Sequence, residues 1–260
     1  MALAAITRGD DKAAAPLVLL HGFGGGACVW QDVMAGLPET IPVIAYDLPG
    51  HGGSLQEDGI GGAGRMAKAV LIDLKRRGVA RCHVAGHSLG GATAALMALR
   101  EPTRVKSLTL LAPGGFGPEI NHRALAAYGF ADSEAALQTA LRAMTGPGFC
   151  FHEEAVRTLW ASRQVPGAGD ALRQVFEAIL AGSPLDDRRQ GTLPLADLGR
   201  LAMPCYVVWG LDDTILPVAQ AEGLPANITV ERIAGAGHML IDECPERVLS
   251  LLRAVLAQVP

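Results

Sequence analysis

The segment Gly-His-Ser-Leu-Gly at residues 86–90 constrains this chain more than any other. It stands between a β-prone run at 82–85 and a run of good helix formers that reaches residue 99. A serine at such a junction lies on a sharp strand-to-helix turn, where small glycines allow close backbone approach. The turn exposes the Ser88 hydroxyl and directs the Leu89 amide and the positive end of the helix to the same space. Because the chain contains 32 glycines, a chance match is possible, and the remaining residues have to supply the partners.

Apolar strand-like runs alternate with helix-like segments over most of the chain. Leu17–Leu20 and Val43–Tyr46 are continuously apolar, which is typical of strands buried on both faces of a parallel sheet. The alternation predicts an α/β fold with a mostly parallel, twisted sheet and helices on both faces. Between residues 114 and 198 the pattern holds helix-like segments and no convincing strand. We therefore predict a core at 1–113 and 199–260, with a helical cap at 114–198 over the active edge of the sheet.

The predicted strands are 3–7, 17–20, 43–46, 82–85, 105–111, 205–209 and 228–233, and the predicted helices are 29–37, 65–77, 89–101, 121–128, 133–144, 153–163, 170–180, 218–223 and 246–259.

Composition excludes several other classes of function. The net charge of −4 and the absence of a basic run argue against a nucleic-acid partner. No apolar run is long enough to span a bilayer, and the first residues do not form a signal peptide. Five dispersed cysteines without a Cys-x-x-Cys pair indicate free thiols in a cytoplasmic protein. We expect a monomer or homodimer. His83 and His87 are four residues apart, but on a strand and its turn this spacing does not converge, so we expect no metal and no cofactor.

An activated serine requires a base and a carboxylate that orients the base. His238 follows a predicted strand in a Gly-Ala-Gly-His-Met segment, so it falls on the same carboxyl edge of the sheet as Ser88. Asp212 and Asp213 follow the strand at 205–209, between the serine and the histidine in the chain. The order Ser, Asp, His is that of a strand–turn–helix nucleophile and its partners. The sequence pattern alone does not decide which of the two aspartates is the acid.

Four motifs together make the chain resemble the α/β-hydrolase fold family over nearly its whole length. They are His-Gly-Phe-Gly at 21–24, Asp-Leu-Pro-Gly-His-Gly at 47–52, Gly-His-Ser-Leu-Gly-Gly at 86–91, and Trp-Gly-Leu-Asp-Asp at 209–213 with Gly-His at 237–238. The resemblance implies that Asp213 is the acid, because the family's acid stands three residues after the strand-end glycine.

The same resemblance implies an oxyanion hole made by the backbone amides of Phe23 and Leu89. It also implies that the Phe23 ring lines the acyl pocket and that His21 braces its loop. His87 is a candidate for contact with substrate, with filling of the turn as the alternative. Asp242 and Glu243 are interpreted as solvated or capping residues.

Within the family, the chain is similar to the hydrolase-like domain of acetoin dehydrogenase E2-type proteins. The similar segments are 21–25, 47–52, 223–225 and 235–239. Those proteins carry an N-terminal lipoyl domain, for which we expect no room before Leu17, so acyl transfer through a lipoyl arm is not expected. The motifs predict a carboxylesterase-like serine hydrolase that acts on a small carboxylic ester or thioester.

Three alternatives stand beside this prediction. The same triad serves carbon–carbon bond hydrolases of ring-fission products and lactone hydrolases. Gly22-x-Gly24-x-x-Ala27 after a strand, with Asp47 at the end of the next strand, has the outline of a dinucleotide-binding fingerprint. A catalytically silent binding protein on the same fold is the third.

Overall fold

The computed structural model describes residues 2–9, 14–180, 183 and 188–259. Seven strands form one sheet: β1 (Ala5–Arg8), β2 (Leu17–Leu20), β3 (Val43–Tyr46), β4 (Cys82–His87), β5 (Val105–Leu111), β6 (Cys205–Gly210) and β7 (Ile228–Ile233). The helices are α1 (Gln31–Gly36), α2 (Ala63–Arg77), α3 (Leu89–Arg100), α4 (His122–Gly129), α5 (Glu134–Ala143), α6 (Glu153–Arg163), α7 (Ala168–Ile179), α8 (Leu195–Leu198), α9 (Leu240–Glu243) and α10 (Pro245–Gln258). Short 3-10 helices occur at Ala27–Trp30, Gly52–Ser54 and Val218–Ala221.

The sheet has the strand order β1-β3-β2-β4-β5-β6-β7. Only β1 is antiparallel to its neighbour, and every other pair is parallel. The chain passes from β2 outward to β3 and then back past β2 to β4. Because such crossovers are right-handed, this reversal places α1 and α2 on opposite faces of the sheet. α1 packs against α10, and α2 packs against α3. The predicted mostly parallel sheet with helices on both faces is therefore confirmed.

The central strands are buried because helices cover both of their faces. Every residue of β2, β3 and β4 is buried, and the largest of the fully buried side chains include Trp30 and Trp209. Both strands that flank β4 run parallel to it, so its carboxyl end lies in the middle of the sheet edge. The turn that carries Ser88 thus follows a strand that is paired with β2 on one side and β5 on the other.

Helices α4 to α8 all lie in the connection between β5 and β6. α4 packs against α5 and α7, while α6 packs against α5 and α7, so these four helices form one layer. The sequence does not predict α8, which ends at Leu198. The division of the chain at residues 114 and 198 stays a prediction, and residues 1, 10–13, 181–182, 184–187 and 260 of the predicted core and cap lie outside the described residues. All five cysteines are free thiols.

Candidate active site

Ser88 is the single residue between the end of β4 and the start of α3. Its backbone φ angle is 52°, in the left-handed region that residues other than glycine seldom adopt. The two flanking glycines make this turn possible. A Cβ on Gly86 would lie 2.2 Å from the Gly90 carbonyl oxygen, and a Cβ on Gly90 would lie 2.3 Å from the Leu20 carbonyl oxygen. The sharp strand-to-helix turn predicted from the motif is present in the structure.

Three side chains form a continuous hydrogen-bonded chain at the carboxyl edge of the sheet. His238 Nε2 lies 3.0 Å from Ser88 Oγ, and His238 Nδ1 lies 2.8 Å from Asp213 Oδ2. The other carboxylate oxygen, Asp213 Oδ1, accepts hydrogen bonds from the backbone amides two and three residues further along. The side chains of His238 and Asp213 are almost completely buried. The structure thus brings together Ser88, Asp213 and His238, which come from three strand ends far apart in the chain.

The buried carboxylate decides which nitrogen of His238 carries the proton. A carboxylate is only an acceptor, so the Nδ1–H group of His238 donates to Asp213. Nε2 is then free to accept the hydroxyl proton of Ser88. Asp212, the neighbouring candidate from the sequence, is exposed and does not contact His238 in the described part of the chain. The arrangement supports Asp213 as the orienting acid.

The loop that carries His238 is fixed by backbone contacts to the cap layer. The His238 amide donates to the Met144 carbonyl at 2.8 Å. The Glu243 carboxylate accepts hydrogen bonds from the amides of Gly146, Gly237 and Met239, at 2.7, 2.8 and 2.9 Å. Of the two interpretations of Glu243 from the sequence, capping describes its contacts.

His87 lies directly beside the histidine of the triad. Its Nε2 donates to the His238 carbonyl oxygen at 2.7 Å, and the two imidazole rings are 4.9 Å apart. Burial, and then the neighbouring His238, lowers the pKa of His87 to about 3, so its ring is neutral. These contacts brace the His238 loop. His87 also lines a small cavity at Ser88, and its contact with substrate stays a prediction.

The two residues predicted to form an oxyanion hole both border Ser88. Phe23 and Leu89 line the same cavity as the serine hydroxyl. Leu89 is the first residue of α3, where backbone amides have no partner inside the helix. Within the described residues, no loop or side-chain hydrogen bond uses the amide of Phe23 or Leu89. Both donors are therefore available to an oxygen atom that carries negative charge.

Two buried histidines hold the loop that contains Phe23. His21 Nε2 accepts from the Leu48 amide at 2.9 Å, and its Nδ1 donates to the Gly22 carbonyl at 2.7 Å. His51 Nε2 accepts from the Gly24 amide at 3.1 Å. Burial lowers the pKa of His21 to about 4 and that of His51 to about 3, so both rings are neutral and can accept. His21 therefore braces the loop, as the resemblance implied.

Asp47 is engaged in the same loop structure. Its Oδ1 accepts from the Ala27 amide at 2.7 Å, and its Oδ2 accepts from the Gly53 amide at 2.8 Å. In a dinucleotide fingerprint this carboxylate would instead bind a ribose hydroxyl. In this structure the Asp47 carboxylate is engaged by backbone amides of its own loops.

Ser88 borders two cavities, one of about 210 Å³ and one of about 30 Å³. Of the apolar cap residues considered from the sequence, Leu125 lines both cavities, and Tyr128 and Met144 line the smaller one. Others, such as Leu137 and Leu141, are buried among the helices and pack the cap.

Sequence reasoning missed two polar residues of these cavities. Gln190 borders the larger cavity, where its Oε1 accepts from the Gly115 amide and its Nε2 donates to the Gly117 carbonyl. Asp242, interpreted from the sequence as solvated or capping, is partly buried and lines the smaller cavity. Its position four residues after His238 is the sequence signal that could have placed it near the site.

In the described ranges there is no candidate for a metal site and none for a membrane-spanning helix. There, no group of three or more His, Cys, Asp or Glu side chains is placed to hold a metal ion. The side chain of His83 instead forms a hydrogen bond with Ser107 at 2.8 Å. None of the described helices combines the length and the apolar character needed to cross a bilayer.

Curated relatives are similar to this chain over most of its length. The chain is 35% identical over 242 residues to the dihydrolipoyllysine-residue acetyltransferase component of the acetoin cleaving system of Pseudomonas putida, an alignment that covers 93% of this chain and 63% of that protein. It is 25% identical over 273 residues to monoacylglycerol lipase abhd6-A of Xenopus laevis, covering 96% of this chain and 78% of the lipase. The chain spans between 58% and 63% of the length of the acetoin-system relatives that it matches.

Among solved structures, the meta-cleavage product hydrolase of Pseudomonas fluorescens IP01 superposes with a TM-score of 0.84. The alignment covers 98% of this chain and 94% of that one at 18% identity, so the likeness shows the fold. A model of the alpha/beta hydrolase family matches residues 17–251, which include every residue of the site described above. The resemblance inferred from the four sequence motifs is confirmed, and the chain belongs to the alpha/beta hydrolase family.

Proposed function

We propose that this chain is a serine hydrolase that cleaves a small carboxylic ester or thioester through an acyl-enzyme intermediate. The observation that carries the proposal is the hydrogen-bonded chain from Ser88 through His238 to Asp213, which opens onto an apolar cavity. A serine hydroxyl is a weak nucleophile at its ordinary pKa, and a neutral imidazole within hydrogen-bond distance provides the base. The similarity to a monoacylglycerol lipase supports an ester as the substrate class.

In the proposed first half-reaction, Ser88 Oγ attacks the carbonyl carbon of the substrate while His238 Nε2 takes the hydroxyl proton. The carbonyl oxygen becomes an oxyanion that the amides of Phe23 and Leu89 stabilise, each contributing roughly 3 kcal/mol. The bond from the carbonyl carbon to the leaving oxygen or sulfur then breaks, and His238 gives its proton to the leaving group. Asp213 stabilises the imidazolium that forms in between.

In the second half-reaction, water replaces the leaving group. His238 accepts a proton from the water, whose oxygen attacks the carbonyl carbon of the acyl-enzyme. The bond to Ser88 Oγ breaks, the serine recovers its proton from His238, and a carboxylic acid leaves. The groups that act in the first step act again in reverse order, so this half-reaction needs no further side chain.

Replacement of Ser88 by alanine tests the proposal. Ser88→Ala is expected to abolish hydrolysis of propyl hexanoate, measured as acid released at constant pH, while thermal unfolding stays close to that of the wild type. A fluorophosphonate probe is expected to label the wild type at Ser88 and to leave the variant unlabelled. Ester turnover that survives in Ser88→Ala, or a label on another residue, would remove Ser88 from the mechanism.

A further inference from the structure

The two cavities at Ser88 differ in chemistry as well as in size. Both are bordered by Phe23, Ser88 and Leu125, so they meet at the serine hydroxyl. The larger cavity, about 210 Å³, continues along the apolar face of α3 past Ala92 and Leu96. The smaller cavity, about 30 Å³, is bordered by His238, Met239 and Asp242. Ser88 therefore stands where a substrate can extend into both cavities.

The proton that His238 transfers decides which part occupies which cavity, and this step rests on the proposed function. After the serine attacks, Nε2 of His238 has to reach the atom that leaves. The leaving group therefore lies on the side of His238, which borders the smaller cavity and not the larger one. The acyl chain then occupies the larger, apolar cavity. A water molecule needs about 10 to 15 Å³ of such volume, so the smaller cavity has room for roughly two to three non-hydrogen atoms beyond the leaving oxygen, and the leaving group must be small.

Asp242 is the carboxyl group of the smaller cavity. Within the described residues no ion pair involves Asp242, and its side chain is hydrogen-bonded to its own backbone amide. The adjacent Glu243 differs, because three backbone amides already bind its carboxylate. Burial, then the charges of Glu243 and Asp32, raise the pKa of Asp242 to about 7. Asp242 thus brings hydrogen-bonding capacity to the cavity that the protein itself does not use.

We propose that Asp242 binds a hydroxyl group on the leaving group, so that the preferred substrate is the carboxylic ester of a small diol. A hydroxyl group both donates and accepts, and it pairs with a carboxylate as well as with a carboxylic acid. An ammonium group would have to lose its water among the apolar neighbours Val29, Met144 and Leu159. A carboxylate on the leaving group would be repelled by the acidic side chains at this end of the cavity.

The test compares two esters of one acid whose alcohol parts have the same number of non-hydrogen atoms, propyl hexanoate and 2-hydroxyethyl hexanoate. Wild type is expected to show a kcat/KM about tenfold higher for the hydroxyethyl ester, since a hydrogen bond to a charged group contributes about that factor or more. Asp242→Leu keeps the branched shape and removes the polar atoms, so the ratio should fall to near one. Asp242→Asn still donates and accepts, and should keep a ratio above one.

Asp58→Leu is the matched control, because Asp58 is exposed and borders neither cavity. Its ratio is expected to equal that of the wild type. Each ratio compares two substrates on one protein sample, so a loss of folded protein in a variant cancels.

A wild-type ratio near one, or an unchanged ratio in Asp242→Leu, would overturn the role of Asp242 while leaving ester hydrolysis intact. If neither ester is cleaved and the fluorophosphonate probe does not label Ser88, the proposed function fails and this inference fails with it. The wild-type measurement requires no variant, so it decides for or against the diol ester even if Asp242→Leu does not fold.

Discussion

Asp212 and Asp213 are adjacent in the chain and chemically identical, yet they lie in opposite environments. The Asp213 carboxylate accepts one hydrogen bond from His238 and two from backbone amides, and its side chain is buried. The Asp212 side chain points to solvent. The backbone turn after β6 therefore gives only one of the two a route to the histidine.

Isosteric replacement separates the two aspartates. Asp213→Asn should lower kcat for ester hydrolysis by about 10⁴, because an amide at this place no longer selects the tautomer of His238 that accepts the serine proton. Asp212→Asn should leave kcat within about twofold of the wild type, since a surface substitution away from the site changes little. Both are measured with propyl hexanoate. If Asp212→Asn lost activity and Asp213→Asn kept it, the two residues would exchange roles.

At the residue scale, the sequence predicts the site residues that follow strand ends. It misses site residues whose position depends on the packing of the cap helices. Ser88, Asp213 and His238 each follow a β-strand within a few residues, and parallel strands bring their carboxyl ends to one edge. The cavity position of Asp242 depends instead on α4 and α6, whose Tyr128 and Leu159 line the same cavity. No periodicity in the sequence reports that packing, so the sequence alone indicates a solvated or capping role for Asp242.

At the scale of elements, the turn between β4 and α3 has no space for additional atoms. A methyl group on Gly90 would lie 2.3 Å from the Leu20 carbonyl oxygen, in the backbone of β2. Backbone atoms cannot move aside as a flexible side chain can, so β2 and α3 would have to separate. The close approach of this helix to the sheet is what raises Ser88 at the edge.

Gly90→Ala should therefore destabilise the fold by about 3 kcal/mol or more, at the upper end of overpacking substitutions. Gly169→Ala is the control, since Gly169 lies in α7 and a Cβ there meets nothing within 4 Å. That variant should be neutral or more stable by up to about 1 kcal/mol, because alanine favours helix. Urea unfolding at pH 8 measures both. Equal stability of the two variants would contradict the steric role of the turn.

The sequence predicts the bounds of strands more closely than those of helices, and the reason is physical. The predicted ends are correct for Leu17–Leu20, Val43–Tyr46 and Val105–Leu111, because these mostly buried apolar runs stop where turn residues begin. They are also correct for Ile228–Ile233, although only Ile228 of that strand is buried. The predicted helix at 29–37 is instead a 3-10 turn at Ala27–Trp30 followed by α1. The Ala27 amide binds the Asp47 carboxylate, a contact across 20 residues that local propensity does not contain.

At the scale of the whole molecule, four buried histidines have pKa values below the ordinary value of 6.5. His51 and His87 are lowered to about 3, and His21 and His83 to about 4, in each case chiefly by burial. Three of them brace the loops around Ser88. His83 lies on β4 away from both cavities, where it bonds to Ser107. All four stay neutral in the folded protein at pH values where they are protonated in the unfolded chain.

This difference predicts that the fold loses stability as the pH falls. Between pH 6.5 and pH 4 the unfolded chain binds more protons than the folded one, so the free energy of unfolding decreases with decreasing pH. His83→Asn keeps a polar partner for Ser107 but cannot titrate. We compare the free energy of unfolding in urea between pH 5 and pH 6. Its slope against pH should be smaller for the variant than for the wild type, by the amount that corresponds to about one bound proton. At pH 8 His83 is neutral in the folded and in the unfolded chain. A difference in unfolding free energy between wild type and variant at this pH therefore reports packing alone. Parallel curves for wild type and variant would show that His83 titrates alike in the folded and unfolded chains, against the effect of its burial.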